Sequence, residues 1–243
     1  MDAAIYERMA STDRDHWWFV ARRRILSRLI AREVRPPGGA RILEVGCGTG
    51  HNLAMLEAFG HVEASELEPA ARALAQQRLG RPVQSAALPD LSMYPEDAFD
   101  LVALLDVLEH VADDSAALAA IRGRLKPGGK LLVTVPANRW MWSAHDAEHH
   151  HHRRYAKGGL KQVLTDAGFE IGLLSYFNSL LFPPIAAARL VGKVTGRESA
   201  DDGIPARPVN LLLQSVFGLE AGLIGRVPMP FGVSLVAVVQ RPG

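Results

Sequence analysis

The sequence predicts an α/β fold, a largely parallel β-sheet with helices on both faces. Three observations carry that expectation. Short apolar runs alternate with helical stretches from residue 40 onward, the rhythm of strand–helix–strand units. A glycine-rich turn, Gly46-Cys47-Gly48-Thr49-Gly50, stands at the first strand-to-helix junction. The 243 residues are 48% apolar and 22% charged, ordinary globular composition that excludes a disordered chain. A chain of this length buries about three quarters of its surface and needs no disulfide or metal staple.

The elements follow in order. Met1 to Arg35 reads as helical and ends at Pro36-Pro37-Gly38-Gly39, where proline cannot continue a helix. Arg41 to Val45 is the first strand, too short for a buried helix, and His51 to Phe59 the helix after the glycine turn. His61 to Ser65 is a second strand, and Pro69 to Leu79 a helix with proline in its first turn. Arg81 to Gln84 is a third strand and Phe99 to Leu105 a fourth. Asp114 to Leu125 is a helix, Lys126-Pro127-Gly128-Gly129 a turn, and Lys130 to Val135 a fifth strand. Gly158 to Ala167 and Phe169 to Tyr176 add a helix and a sixth strand. Two further helices are expected at Leu180 to Lys193 and Val209 to Arg226, joined by a flexible link near Glu198 to Pro208. Val233 to Val239 closes the chain as a last strand.

Charge and cysteine content narrow the function. Lys and Arg minus Asp and Glu is 27 − 26 = +1, which argues against a nucleic-acid partner. The single cysteine, Cys47, cannot form an internal disulfide and suits a reducing compartment. The start, Met1 to Met9, has charges and no apolar core, so no secretory signal is visible. A cytoplasmic protein, with peripheral membrane contact kept open, is the expectation.

Glu44 to Gly50 is the most informative stretch. Glycines between a strand and a helix let a ligand approach the backbone at the carboxyl edge of the sheet; the plain alternative is a tight turn that binds nothing. A dinucleotide fingerprint would need its third glycine at His51, but here it falls one position early, at Gly50. Glu66, 20 residues beyond Gly46, stands where an acid can accept from both ribose hydroxyls; it could also be a solvated loop carboxylate. Glu44 and Glu66 together suit a ligand with a ribose and a cationic end, such as S-adenosylmethionine.

Four ordered motifs make a resemblance plain: Glu44 to Gly50, Phe99-Asp100-Leu101-Val102, Asp106-Val107-Leu108-Glu109-His110-Val111 and Leu125-Lys126-Pro127-Gly128-Gly129. They resemble the class I S-adenosylmethionine-dependent methyltransferases, over roughly Ala40 to Tyr176. The resemblance implies a Rossmann-like seven-stranded sheet with its last strand antiparallel and a helical insertion between strands 6 and 7. It implies S-adenosyl-L-methionine as cofactor and S-adenosyl-L-homocysteine as product. Gly46, Cys47, Gly48 and Gly50 would lie under the methionine part, Glu44 beside it, and Glu66 and Leu67 at the ribose. Leu105 and Asp106 would border the transferred methyl. One departure stands out: Val83 to Pro89 lacks the acid that often accepts from the adenine amino group. Gln84, Ser85 or the backbone of Ala86 or Ala87 would serve instead.

On the acceptor side a hydroxyl would need a proton acceptor, and histidine suits that role. His110 is one candidate, or else a helix-start histidine bonded to backbone. Five of the nine histidines fall between His145 and His152. Trp142-Ser143-Ala144-His145-Asp146 and His151-His152-Arg153-Arg154-Tyr155 resemble a bacterial subgroup of the same family. That match picks out His145, Asp146, His151 and Tyr155 as catalytic candidates, with His145 and Asp146 as an oriented pair. No metal is assigned, because consecutive histidines point in different directions and few could share one ion. His16-Trp17-Trp18-Phe19 matches the subgroup too, so Trp18 and Arg22 are expected in a lid, with arginine on the cofactor carboxylate.

Residues 178–231 are apolar but broken by prolines, and no stretch reaches the roughly 18 to 20 apolar residues that span a bilayer. A wall for a lipid-like acceptor is favoured over a homodimer interface or a membrane-resting patch. The expected organisation is a single domain: a helical lid at 1–39, a cofactor-binding core at 40–177, the insertion at 178–231 and the last strand at 232–243. The expected function is methyl transfer to a small or lipid-like acceptor, at oxygen, by in-line displacement with a histidine base. A non-catalytic binding module for a nucleoside or lipid is the alternative.

Overall fold

The computed structural model describes residues 3–196 and 203–243. The expected link near Glu198 falls partly on residues 197–202, outside the described residues. Helix α1 (Ala3–Thr12) and α2 (Trp17–Leu29) replace the single amino-terminal helix that was expected. The break is built by side chains. His16 caps α2 by accepting from the Trp18 N–H at 3.3 Å, and buried Asp13 takes the guanidinium of Arg78 at 2.6 Å. A π-helical turn, Ile30–Val34, ends α2 before the Pro-Pro-Gly-Gly stretch.

Strand β1 (Arg41–Val45), α3 (Leu53–Glu57), β2 (His61–Ser65) and α4 (Pro69–Leu79) follow. Next come β3 (Phe99–Leu105), α5 (Asp114–Arg124) and β4 (Leu125–Pro136). Helices α6 (Ala144–Glu148) and α7 (Lys157–Asp166) lead to β5 (Glu170–Phe177). Helices α8 (Phe182–Thr195), α9 (Arg207–Gly218) and α10 (Glu220–Leu223) precede β6 (Ser234–Gln240).

The sheet order is β2-β1-β3-β4-β6-β5. The first four strands run parallel, and β6 runs antiparallel to both β4 and β5. The last strand is antiparallel as expected, but the described residues give six strands rather than seven. Arg81–Gln84 makes only a bridge between Ser65 and Gln84. Pro82 brings no N–H to a ladder, which leaves too short a run to pair. The expected Lys126–Gly129 turn is instead the opening of β4, where a register shift follows Phe99 and Gly128 and Gly129 bond the backbone of Arg241.

Alternation along β1 and β3 builds two cores. Ile42, Leu101 and Ala103 face one way, onto Ile25, Leu26 and Leu29 of α2 and Phe217 of α9. Leu43, Val45, Val102 and Leu104 face the other, onto Leu118 and Ile121 of α5 and Leu160 of α7.

The insertion is tied to the sheet by one acid. Gly218 ends α9, and the expected second helix breaks at Leu219 into α10. Glu220 is fully buried and accepts the backbone N–H groups of Asn178, Ser179 and Leu180 at 2.7, 2.7 and 2.8 Å. Those groups leave the end of β5 with no ladder partners, so the carboxylate stands in for a strand. Among the described residues no helix is long and apolar enough to cross a membrane.

Candidate active site

The parallel strands bring their carboxyl ends to one edge, and the glycine turn leaves β1 there. Its glycines are not equivalent. A Cβ on Gly50, whose φ is +82°, would fall 2.9 Å from Ala75 Cα, so this glycine lets the turn pack on α4. A Cβ on Gly48, at φ +56°, would meet nothing nearer than Tyr6 Cε1 at 4.0 Å. Gly48 therefore presents open backbone, and Gly46 lies under Val107.

Glu66 holds this turn. One carboxylate oxygen accepts the Gly48 N–H at 2.8 Å, the other the Glu68 N–H at 2.9 Å, and the residue is 6% exposed. Glu44 is deeper, at 1%. Asn52 donates to its Oε1 at 3.0 Å, while Oε2 is buried with no partner. Burial pushes the Glu44 carboxyl up to about 7. The Cys47 thiol is buried beside these acids and raised above its ordinary value by burial first and by Glu44 and Glu66 next. Leu67 is exposed and Ala86 half-buried at the rim. Two residues that sequence reasoning passed over complete this side. Tyr6 of α1 borders the open space over Gly48, with its Cε1 4.0 Å from where a Cβ would stand, and Thr49 donates to Asp13 at 3.1 Å.

Arg22 crosses from α2 to the centre of the edge. It is 1% exposed, stacks 4.9 Å over the Trp18 ring, and donates to Asp106 Oδ2 at 2.6 Å and Thr134 Oγ1 at 2.8 Å. Its charge is thus met by Asp106, a protein partner that sequence reasoning did not foresee, while its Nε is buried without a partner. Asp106 follows buried Leu105 at the end of β3 and adopts φ +58°.

The acceptor-side candidates lie beyond Asp106, on loops leaving β3 and β4. Asp146 is fully buried in the first turn of α6. It accepts from Ser143 N at 2.9 Å, Ser143 Oγ at 3.2 Å, His151 Nδ1 at 2.9 Å and Arg154 Nε at 2.7 Å. Burial alone would raise its pKa, but the His151 hydrogen bond and the Arg154 charge outweigh it and hold the carboxyl well below its usual range. The expected His145–Asp146 pair is therefore a His151–Asp146 pair. A side chain at the second position of α6 cannot turn back onto the next residue, whereas the loop returning after the helix can. His145 instead stacks on His149 with centroids 4.0 Å apart, and its ring is 6.4 Å from that of His151.

The His110 ring stands edge-on to His151 at 4.6 Å. Burial, then the neighbouring His151, lowers its pKa to about 4. Glu109, which sequence reasoning also missed, is 1% exposed with Oε2 buried and unpartnered. Burial and the nearby Asp106 raise its carboxyl well above the ordinary value. One ligating atom each of Glu109, His110 and His151 lies within 4.8 Å of the others. Tyr155 is not brought to this group: its hydroxyl donates to Asp114 Oδ2 at 2.8 Å, and Arg153 meets the same carboxylate at 2.7 Å. Both fasten the loop to the start of α5.

A family model described as a methyltransferase domain matches residues 17–173. The ubiquinone biosynthesis O-methyltransferase of Idiomarina loihiensis is 33% identical over 168 residues, 60% of this chain and 67% of that protein. The enzyme of the same description from Xylella fastidiosa is 35% identical over 106 residues, 41% of this chain and 43% of that protein. The chain thus spans about two thirds of one curated relative and less than half of the other. A solved S-adenosylmethionine-dependent methyltransferase from Archaeoglobus fulgidus superposes with a TM-score of 0.57 at 15% identity, covering 90% of this chain and 94% of that one. That likeness concerns the fold.

Asp146 gives the first test. Replacing it with Asn turns a donor toward Arg154 and leaves buried positive charge unbalanced, so Asp146→Asn should cost about 3 kcal/mol or more. Chemical denaturation reads this as a lowered midpoint, and an unchanged midpoint contradicts the assignment of Asp146 as the acid that holds this loop.

Proposed function

This chain belongs to the methyltransferase-domain family and is an S-adenosylmethionine-dependent methyltransferase; we propose that it methylates an oxygen of a small or lipid-like acceptor. The observation that carries the reading is the pair of half-sites meeting at Asp106, one of buried acids around open backbone and one of imidazoles.

The residues of the first half-site fit the cofactor. An unpartnered, buried Glu44 oxygen is suited to an ammonium, and a buried Glu66 carboxylate retains lone pairs for ribose hydroxyls. Gly46, Cys47, Gly48 and Gly50 would run beneath the methionine part, Leu67 and Ala86 beside the nucleoside, and Leu105 and Asp106 by the methyl group. Trp18 and Arg22 would cover it, with the unused Arg22 Nε directed to the carboxylate. When bound, the cofactor supplies an electrophilic methyl and a neutral thioether leaving group. The protein then needs to position the acceptor and receive its proton.

His145 is our candidate for that proton acceptor. His110 is a poor base with its pKa near 4. His151 is engaged through Nδ1 by Asp146, which also holds Arg154. His151 is fixed by that bond and, with His110, orients the acceptor. The relatives' description as O-methyltransferases supports oxygen as the acceptor atom. In the same reading residues 1–39 form the cover, 40–177 the core with 232–243, and 178–231 the acceptor wall. Two contacts of α8 support that wall: Arg189 bonds Met141 O, and Phe182 packs edge-on against Trp140 at 6.1 Å. Exposed Leu190, Val191 and Val194 on α8, and Leu211 and Leu212 on α9, leave apolar surface for a membrane or a second copy.

Calorimetry with S-adenosylhomocysteine should show one binding site. Gly48→Ala should abolish binding while costing about 1–2 kcal/mol of stability for its left-handed backbone; full affinity in this variant rules out ligand approach at Gly48. Affinity should rise between about pH 6 and 8, because Glu44 with a pKa near 7 must lose its proton to meet an ammonium. Glu44→Gln should flatten that dependence, and a persistent rise assigns it elsewhere. With a methyl-labelled cofactor and a catechol or polyprenyl phenol, His145→Ala should lower kcat by a factor on the order of 100 or more. Its S-adenosylhomocysteine affinity should be unchanged, and an unchanged kcat removes His145 as the base.

A further inference from the structure

We infer that Glu109, His110 and His151 form a binding site for one divalent transition-metal ion at the acceptor side of Asp106. The three donors come from two separate segments, the turn after β3 and the loop after α6, yet their ligating atoms gather within 4.8 Å. In a tetrahedral site with bonds near 2.1 Å the donors stand about 3.4 Å apart, so modest side-chain rotation closes the set.

Glu109 points to a cation most directly. Its Oε2 is buried with no hydrogen-bond partner, on a residue 1% exposed. A buried carboxylate oxygen without a partner is costly, and the neighbouring cations are committed. Arg22 is engaged by Asp106 and Thr134, and Arg154 by Asp146 and the carbonyl of Ala137. Neither reaches Glu109 Oε2.

The imidazoles are suited to the same ion. Asp146 accepts the His151 Nδ1–H at 2.9 Å, which leaves Nε2 as the nitrogen that can ligate. A carboxylate behind a histidine ligand is the usual support of such sites. Arg154 shares the same carboxylate, so the His151 ring is held in place from behind by a paired, buried acid. His110, 4.6 Å from His151 by ring centroids, supplies the second nitrogen. Two imidazoles and one carboxylate favour zinc, iron(II), manganese or cobalt over calcium or magnesium, and leave coordination positions open. The role of the ion, though not its binding, rests on the methyltransferase reading above. A cation beside Asp106 would acidify an acceptor hydroxyl and pass the proton to His145 or solvent.

The test uses the whole chain, stripped of metal and titrated with Co2+. One equivalent should bind, visible d–d absorption should appear, and one equivalent of Zn2+ should abolish it. Glu109→Gln and His151→Ala should each lose the tight equivalent and its spectrum, whereas the double variant His150→Asn/His152→Ala should retain both. S-adenosylhomocysteine calorimetry on the same samples checks folding and the cofactor reading independently. A metal result that fails while this binding persists overturns the cation site alone. Absence of a stoichiometric Co2+ spectrum overturns it. So does a spectrum that survives Glu109→Gln and His151→Ala, or one lost with His150 and His152, which marks adventitious binding by the histidine run.

Discussion

The carboxyl edge of this sheet depends on Arg22. Acids converge there from β1, the β2 turn and β3: buried Glu44, Glu66 and Glu109, and half-buried Asp106. Unbalanced, so many carboxyl groups in a low-dielectric edge would repel one another and resist ionisation. Arg22 arrives from an amino-terminal helix, is 1% exposed, and bonds both Asp106 after β3 and Thr134 on β4. Its positive charge lowers the carboxyl pKa values of Glu44 and Glu109 against the larger effect of burial. Fastening of α2 and electrostatic balance of the edge are therefore one interaction, and α2 cannot swing away without exposing the acids to each other.

Other acids in the molecule are structural, and the difference shows in their partners. Asp146 fills its oxygens with donors from Ser143, His151 and Arg154, and Glu220 receives three backbone N–H groups. Both resemble acids whose purpose is complete within the fold. Glu44 and Glu109 each keep one buried oxygen without a partner. A fold retains such groups where something else is to meet them, since satisfied polar groups are the rule in protein interiors. This contrast separates scaffold from site better than burial does, because all four acids are buried.

Legibility in the sequence followed locality. The turn from Glu44 to Gly50 and the acid at Glu66 were readable because a strand, a tight turn and a fixed spacing are set by neighbours in the chain. Strand β1, strand β2 and helix α4 matched their expected limits for the same reason. Arg81–Gln84 failed as a strand because pairing depends on a neighbour's edge and on N–H groups, and Pro82 has none. The amino-terminal break at Asp13 was hidden because it is stabilised by Arg78, 65 positions away. The same limit explains the acceptor side. Adjacent His145 and Asp146 looked like a pair, but return of the loop gave Asp146 to His151. Glu109 sat inside a recognised motif, yet its unpartnered oxygen becomes visible only once the neighbouring cations are seen to be occupied.

The least legible segment is the one that the sheet itself does not dictate. A parallel sheet of this kind hosts many reactions, so the acceptor must be chosen by what is added to it. Here the addition enters between β5 and β6, the antiparallel pair at one edge of the sheet. Glu220 fixes its base on the end of β5, and Arg189 of α8 reaches over to the Met141 carbonyl and Asp146. The insertion is thus coupled to the same carboxylate that orients His151. A change in α8 that moves Arg189 would alter the balance of charge on Asp146, and through it the placement of the His151 imidazole. The insertion and the histidine loop are in this way joined by one buried side chain.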